Sequence, residues 1–195
     1  MSSHHIVREN QEPALLIMNA HAIPFEKVQE LLEWSPTVIV THTEIDEVLG
    51  WGIKIDVALV PVQEVEHWRE KLTEQAPLKL VSFNAQDDPL LTGFYFLSAS
   101  KASGVNVLLK EKSTMNAIED FAHLDVEAFI DNARWCLVRS GEIEKWYPAK
   151  TSLFVFPNDV NKELSQFNSC RFDVEYDGIV KLKSKRQFWL GEELF

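Results

Sequence analysis

The chain has 195 residues, 46% of them hydrophobic, and a formal net charge of −11. That much apolar sequence supports one substantial core or two modest ones and excludes a disordered chain. The negative charge works against polyanion binding, because affinity for nucleic acid comes largely from clustered Lys and Arg, and no such cluster occurs before Lys181–Arg186.

The opening stretch MSSHHIVRENQEP lacks the apolar centre of a secretion signal, and no later run approaches the roughly 20 apolar residues of a membrane helix. A cytoplasmic protein with no membrane or nucleic-acid partner is expected. His4 and His5 in this terminal stretch say little about metal. From there, apolar runs rich in β-branched residues alternate with segments of helical period. Strands are predicted at Ala14–Met18, Val38–Thr41, Val57–Val60, Leu78–Phe83 and Val105–Leu109, and helices at Pro24–Trp34, Glu44–Leu49, Val65–Gln75 and Pro89–Lys101. This alternation predicts an α/β, Rossmann-like domain: a mostly parallel sheet with flanking helices. Pro24 suits a first helical turn and Pro36 a helix stop, while Gly52 and Gly104 suit the left-handed position after a helix. Asp87 or Asp88, just before Pro89, is expected to cap the next helix.

Beyond residue 125 the hydrophobic period shortens towards two. Short strands are predicted at Val126–Ile130, Ala133–Arg139, Ser152–Phe156, Phe172–Tyr176, Ile179–Leu182 and Gln187–Leu190. Turn signals at Asp131-Asn132, Ser140-Gly141, Pro157-Asn158-Asp159 and Asp177-Gly178 separate them, so a small β-sandwich or barrel of hairpins is expected. The predicted domains are therefore 1–124 and 125–195. The basic run Lys181–Arg186 alternates with apolar residues and reads as the wet face of a strand. Of the two cysteines, Cys136 sits in an apolar run and is expected to be a buried thiol, and neither it nor Cys170 belongs to a C-x-x-C pair.

In open α/β sheets, ligands bind beyond the carboxyl ends of the strands, where helix N-termini offer unpaired N–H groups. Five loops qualify: Met18–His21, Thr41–Glu44, Pro61–Glu64, Asn84–Asp88 and Lys110–Thr114. Phosphoryl transfer needs oxygen ligands for Mg²⁺. Only the fourth loop offers paired aspartates. His42 has no adjacent Ser or Cys nucleophile. Glu44 and Glu64 fall near helix starts, where an acidic side chain complements the helix dipole.

These residues carry a resemblance. Asn19-Ala20 after the first strand, Gly52–Val60 (GIKIDVALV), Asp87-Asp88 before a helix and a terminal β domain together resemble the thiamine pyrophosphokinase family. In that family the second strand is followed by Asp-Gly-Gly/Ala, the next helix ends in Gly-Ile-x-Pro-Asp, and the following strand runs into Gly-Asp-x-Asp-Ser. A D-x-D-x-x-D motif then opens a helix. Gly52-Ile53-Lys54-Ile55-Asp56 matches the second of these segments. Thr151–Pro157 resembles the family's V-S-L-I-P strand, and Asp177–Leu182 its G-L-x-W-x-L segment.

The resemblance implies pyrophosphate transfer from ATP to thiamine with Mg²⁺, and a homodimer. It implies Asp87 and Asp88 as catalytic residues, with Glu64 joining them as metal ligands. Asn19, His42 and Thr43 are the implied nucleotide contacts and Ser152 the thiamine contact. The chain departs from the pattern where the chemistry lies. His42 stands in place of the first Asp, Pro61, Gln63 and Glu64 span the Asp-x-Asp-Ser site, and Leu91 ends the reduced acidic motif. Two readings follow: a kinase, or a non-catalytic relative that binds a nucleotide, a thiamine-like ligand or itself. A different enzyme on the same scaffold is a third, since fold does not fix function.

Overall fold

The computed structural model describes residues 12–158 and 171–194. The chain divides into two compact units, Met1–Val126 and Glu127–Phe195. No helix among the described residues is long and apolar enough to cross a membrane.

The first unit is built on five parallel strands: β1 (Ala14–Ile17), β2 (Val38–Thr41), β3 (Val57–Pro61), β4 (Lys79–Phe83) and β5 (Gly104–Leu108). Their spatial order is β5-β1-β2-β3-β4. Every residue of β1, β2 and β3 is buried, as expected of central parallel strands covered on both faces. Leu15, Leu16, Ile17, Ile39 and Leu59 have no exposed surface, and each such side chain stabilises the fold by about 1.5–3 kcal/mol. The helices are α1 (Phe25–Leu32), α2 (Ile45–Gly50), α3 (Val65–Lys71), α4 (Pro89–Ala99) and α5 (Met115–Ile118). On α4, Gly93 lies so close to the sheet that a Cβ would stand 3.1–3.2 Å from Leu16 and Leu59.

Local signals act as their chemistry dictates. The Asp88 carboxylate accepts from the Leu90 N–H at 2.8 Å and caps α4, with Pro89 in the first turn. Gly52 follows α2 at φ +71°, the left-handed position expected of it. Gly104 does not follow that pattern. The left-handed residue after α4 is Lys101, at φ 57°, whereas Gly104 opens β5 where a Cβ would stand 2.8 Å from the Asp125 carbonyl oxygen. Its glycine is required by that close approach.

The second unit holds β6 (Asp125–Ile130, which begins at the boundary), β7 (Ala133–Val138), β8 (Glu142–Tyr147), β9 (Ser152–Phe156), β10 (Arg171–Asp173), β11 (Gly178–Lys183) and β12 (Phe188–Glu193). One antiparallel sheet runs β10-β9-β12-β7-β6, and β8 pairs with β11 in a second. A core of Tyr147, Leu153, Val155, Val180, Leu182, Phe188 and Leu190 is drawn from both, making a β-sandwich. Asp131 and Asn132, both at positive φ (52° and 58°), turn β6 into β7, as a tight hairpin requires. Asp177-Gly178 forms no hairpin of paired strands. β10 pairs with β9 while β11 pairs with β8, so this dipeptide carries the chain from one sheet to the other. The basic run lies on the wet face of β11, where Lys181 and Lys183 pair with Glu144 and Glu142 across the ladder.

Candidate functional site

In the first unit the strand order reverses at β1, which has β2 on one side and β5 on the other. Such a reversal opens a crevice beyond the carboxyl ends of the strands. The loop after β1 is tied to both neighbours. Met18 and Asn19 donate their backbone N–H groups to the Leu108 carbonyl at 3.0 and 3.1 Å. On the other side, the Glu44 carboxylate accepts from the Ala20 N–H at 2.8 Å. Glu44 reaches that loop because a short 3-10 turn, His42–Glu44, separates β2 from α2. The Asn19 side chain folds back on its own loop, its Oδ1 accepting from the His21 N–H at 3.2 Å.

His42 and Thr43 leave β2 at the same end. The His42 ring packs against Phe83 with centroids 5.6 Å apart, and its Nδ1 is buried without a hydrogen-bond partner. Burying an unpaired polar atom costs about 1–3 kcal/mol. Thr43 is exposed, and Val62, beyond β3, keeps 51% of its surface in solvent.

The expected cation ligands are engaged within the fold. The Glu64 Oε2 accepts from the Trp68 indole N–H at 2.9 Å. Asp87 Oδ2 accepts from both the backbone N–H and the side-chain amide of Asn84, each at 2.9 Å, closing the loop on itself. Asp88 caps α4. Among the described residues no three His, Cys, Asp or Glu side chains gather where they would hold a metal ion. Mg²⁺ bound to phosphates requires oxygen ligands converging on a near-octahedral ion. Glu64, Asp87 and Asp88 are not gathered into one three-carboxylate group, Pro61 offers neither a side-chain ligand nor an N–H, and the helix beyond Asp88 continues with Pro89, Leu90 and Leu91. A phosphate-bound Mg²⁺ is usually held by one or two protein carboxylates with water and phosphate oxygens completing its shell, and in this chain those carboxylates already serve a loop, a helix cap and an indole.

In the second unit, Ser152 is 3% exposed. Its hydroxyl donates to Asp173 Oδ1 at 2.7 Å and accepts from Arg171 at 2.7 Å, and the Arg171 Nε donates to the same aspartate at 2.9 Å. The bonds from Ser152 and Arg171 hold the Asp173 carboxyl below its ordinary value. Ser152 therefore ties the exposed Arg171 and Asp173 of β10 to β9.

A larger polar cluster centres on Glu192 of β12. Its carboxylate accepts from Arg134 on β7 at 3.1 Å and, across to the other sheet, from Lys145 at 2.6 Å and Tyr147 at 2.7 Å. Burial alone pushes the Glu192 carboxyl up, but the bonds from Lys145 and Tyr147 and the charges of Lys145 and Arg134 outweigh it, and the carboxyl lies below its ordinary value. Burial and the bond to Glu192 push the Tyr147 hydroxyl up. Cys136 is half-buried beside Glu127, whose carboxylate lies 3.8 Å from its sulfur. Burial first, and that neighbouring charge second, push the thiol up to about 12. Both effects disfavour the thiolate, the form that acts as a nucleophile. Cys170, His4 and His5 lie outside the described residues.

Neither a protein-family model nor a curated protein matches the chain by sequence. Solved structures do match it in fold. A thiamine pyrophosphokinase from Bacillus subtilis covers 93% of this chain with 98% of its own, at TM-score 0.63 and 10% identity. The enzyme from Candida albicans covers 94% with 90% of its own, at TM-score 0.65 and 9% identity. The yeast enzyme covers 98% with 88% of its own, at TM-score 0.62 and 8% identity. The chain has the thiamine pyrophosphokinase fold. At identities this low the likeness to the thiamine pyrophosphokinases is one of fold, and the strand-end residues are this chain's own.

Two features of the site escape sequence reasoning. Glu44 reads as a dipole-complementing residue, yet it binds the Ala20 loop, 24 residues away. Glu192 carries no signal at all, because its partners lie 45 to 58 residues distant. The alternation of β12 would have placed its side chain on one face of a strand without naming those partners.

Proposed function

We propose that this chain is a non-catalytic relative of the thiamine pyrophosphokinases, a homodimeric protein that binds a nucleotide or thiamine-like heterocycle without transferring pyrophosphate. The observation that carries the reading is the state of the strand-end carboxylates. Glu44, Glu64, Asp87 and Asp88 each accept a hydrogen bond from the chain itself, and no three metal-binding side chains gather among the described residues. Phosphoryl transfer depends on metal ions neutralising charge on the phosphate oxygens, an effect worth several kcal/mol in the transition state. Binding alone makes no such demand.

Asn19, His42 and Thr43 are the nucleotide contacts in this reading. His42 offers its half-buried ring and Thr43 its exposed hydroxyl, both at the carboxyl end of β2. Ser152 acts on the thiamine side by positioning Arg171 and Asp173. ATP is then a ligand and not a co-substrate, and any Mg²⁺ arrives with the nucleotide.

Thermal melts with ATP, with thiamine and with both test the binding. A ligand at one hundred times its Kd adds about 2.7 kcal/mol of stability. The melting temperature is expected to rise with at least one of them, and His42→Ala to remove the rise given by ATP. A melt that moves with neither ligand contradicts the binding reading. Accumulation of thiamine diphosphate contradicts the non-catalytic one.

A further inference from the structure

We propose that the cleft between α4 and β4 binds a small organic cation, an ammonium group carried on an apolar body. The site is separate from the ligand contacts proposed above: none of Asn19, His42, Thr43 and Ser152 lines it. Among the described residues β4 is the last strand of its sheet, so no further strand covers the outer stripe of the helix beside it. That stripe, Asp88, Leu91, Thr92, Tyr95 and Phe96, follows helical spacing and lines a cavity of ≈720 Å³ together with Val81 of β4. Such a volume suits a small molecule and far exceeds what a single metal ion needs.

Two aromatic rings and the sign of the charge select the ligand. Tyr95 is 64% exposed, yet its ring meets that of the buried Phe121 at 61° with centroids 5.5 Å apart, so an exposed π surface is held in place. Phe96 already receives a cation from the chain itself: the Lys79 ammonium stands 4.7 Å from its ring centroid. Lys79 lines a neighbouring cleft of ≈480 Å³, and no basic side chain among the described residues lines the larger one. The charged residues that do line it are Asp87 and Asp88. Each commits one carboxylate oxygen to the fold, Asp87 Oδ2 to Asn84 and Asp88 Oδ1 to the Leu90 N–H, and each keeps its charge. The cap also places a carboxylate where a helix start would otherwise attract an anion, so phosphate is disfavoured here and a cation favoured. An arylammonium gains from the rings and the carboxylates together, whereas a neutral molecule of the same size gains only from apolar contact.

Amide-resolved NMR titration of the full chain with benzyltrimethylammonium tests the site. The Gln86, Thr92 and Tyr95 amides are expected to shift together and saturate. Phenylpropanol, similar in size but uncharged, is expected to bind about threefold more weakly or worse. Tyr95→Ala should weaken the cation by about threefold, while Tyr95→Phe keeps the ring and the affinity. Asp88→Asn, which retains an oxygen for the helix cap, should weaken the cation and leave phenylpropanol unchanged. Lys79→Met removes the chain's own ammonium from Phe96 and should tighten the cation. Shifts that never saturate or that spread away from α4 and β4, equal affinity for the two probes, or a Tyr95→Ala variant that binds like the wild type overturns the cation site. The probe carries neither phosphate nor aminopyrimidine, so its failure leaves the nucleotide and thiamine reading standing. A melt unmoved by ATP and thiamine, with the probe still bound, overturns that reading and leaves this site.

Discussion

Replacing Glu192 by Gln keeps the shape of the side chain and removes the charge on which three donors converge. The carboxylate is 17% exposed and accepts from Lys145 at 2.6 Å, Tyr147 at 2.7 Å and Arg134 at 3.1 Å. Breaking a fully buried ion pair costs about 3–5 kcal/mol. Here Lys145 is 42% exposed and Arg134 35%, so water takes up much of what each loses. Discounted for that screening, the loss is about 2 kcal/mol at neutral pH. The pH dependence follows from the depressed carboxyl. Glu192 binds its proton less readily in the folded chain than in the unfolded one, so its contribution is present above the ordinary glutamate value and is lost as pH falls through the lower folded value. The wild type and Glu192→Gln should therefore converge in acid. Urea unfolding followed by tryptophan emission, at about pH 7 and about pH 3, measures both gaps. A neutral-pH difference under about 0.5 kcal/mol, or one that persists unchanged in acid, refutes this account of the cluster.

Gly191→Ala drives a Cβ to within 2.8–2.9 Å of the Trp135 ring, which is 1% exposed and has no room to yield; a loss of about 1–3 kcal/mol in the same assay is expected. Asp88→Ala removes the cap of α4 and costs about 1 kcal/mol, while Asp88→Asn keeps an accepting oxygen and stays close to wild type in melting temperature. In a Cys170→Ser background, alkylation of Cys136 should stay slow through neutral and mildly basic pH and accelerate only as the medium approaches the thiol's value of about 12.

The parts of the fold visible in the sequence are those decided by local chemistry. β1, β2 and β3 are buried on both faces, so their apolar runs stand out, and Asp88 before Pro89 marks a helix start. β8 does not stand out: Glu142-Ile143-Glu144-Lys145-Trp146-Tyr147 buries only Tyr147 fully, and its charges belong to cross-strand and inter-sheet pairs. Asp177-Gly178 has hairpin propensity, but strand pairing is settled by partners distant in sequence, and these lie in different sheets. The same distinction governs the site. Which loops lie at the strand ends was legible from the alternation of elements. Whether Glu64, Asp87 and Asp88 converge was not, because each is oriented by a neighbour, Trp68, Asn84 or the Leu90 N–H, whose hold depends on side-chain geometry.

The central claim, a thiamine pyrophosphokinase scaffold without its transfer chemistry, is tested most directly by chromatographic measurement of thiamine diphosphate after prolonged incubation of concentrated protein with ATP, Mg²⁺ and thiamine. The account predicts no product above a control without protein. Product that grows with time and protein concentration, and that is lost in Asp88→Asn, would contradict it.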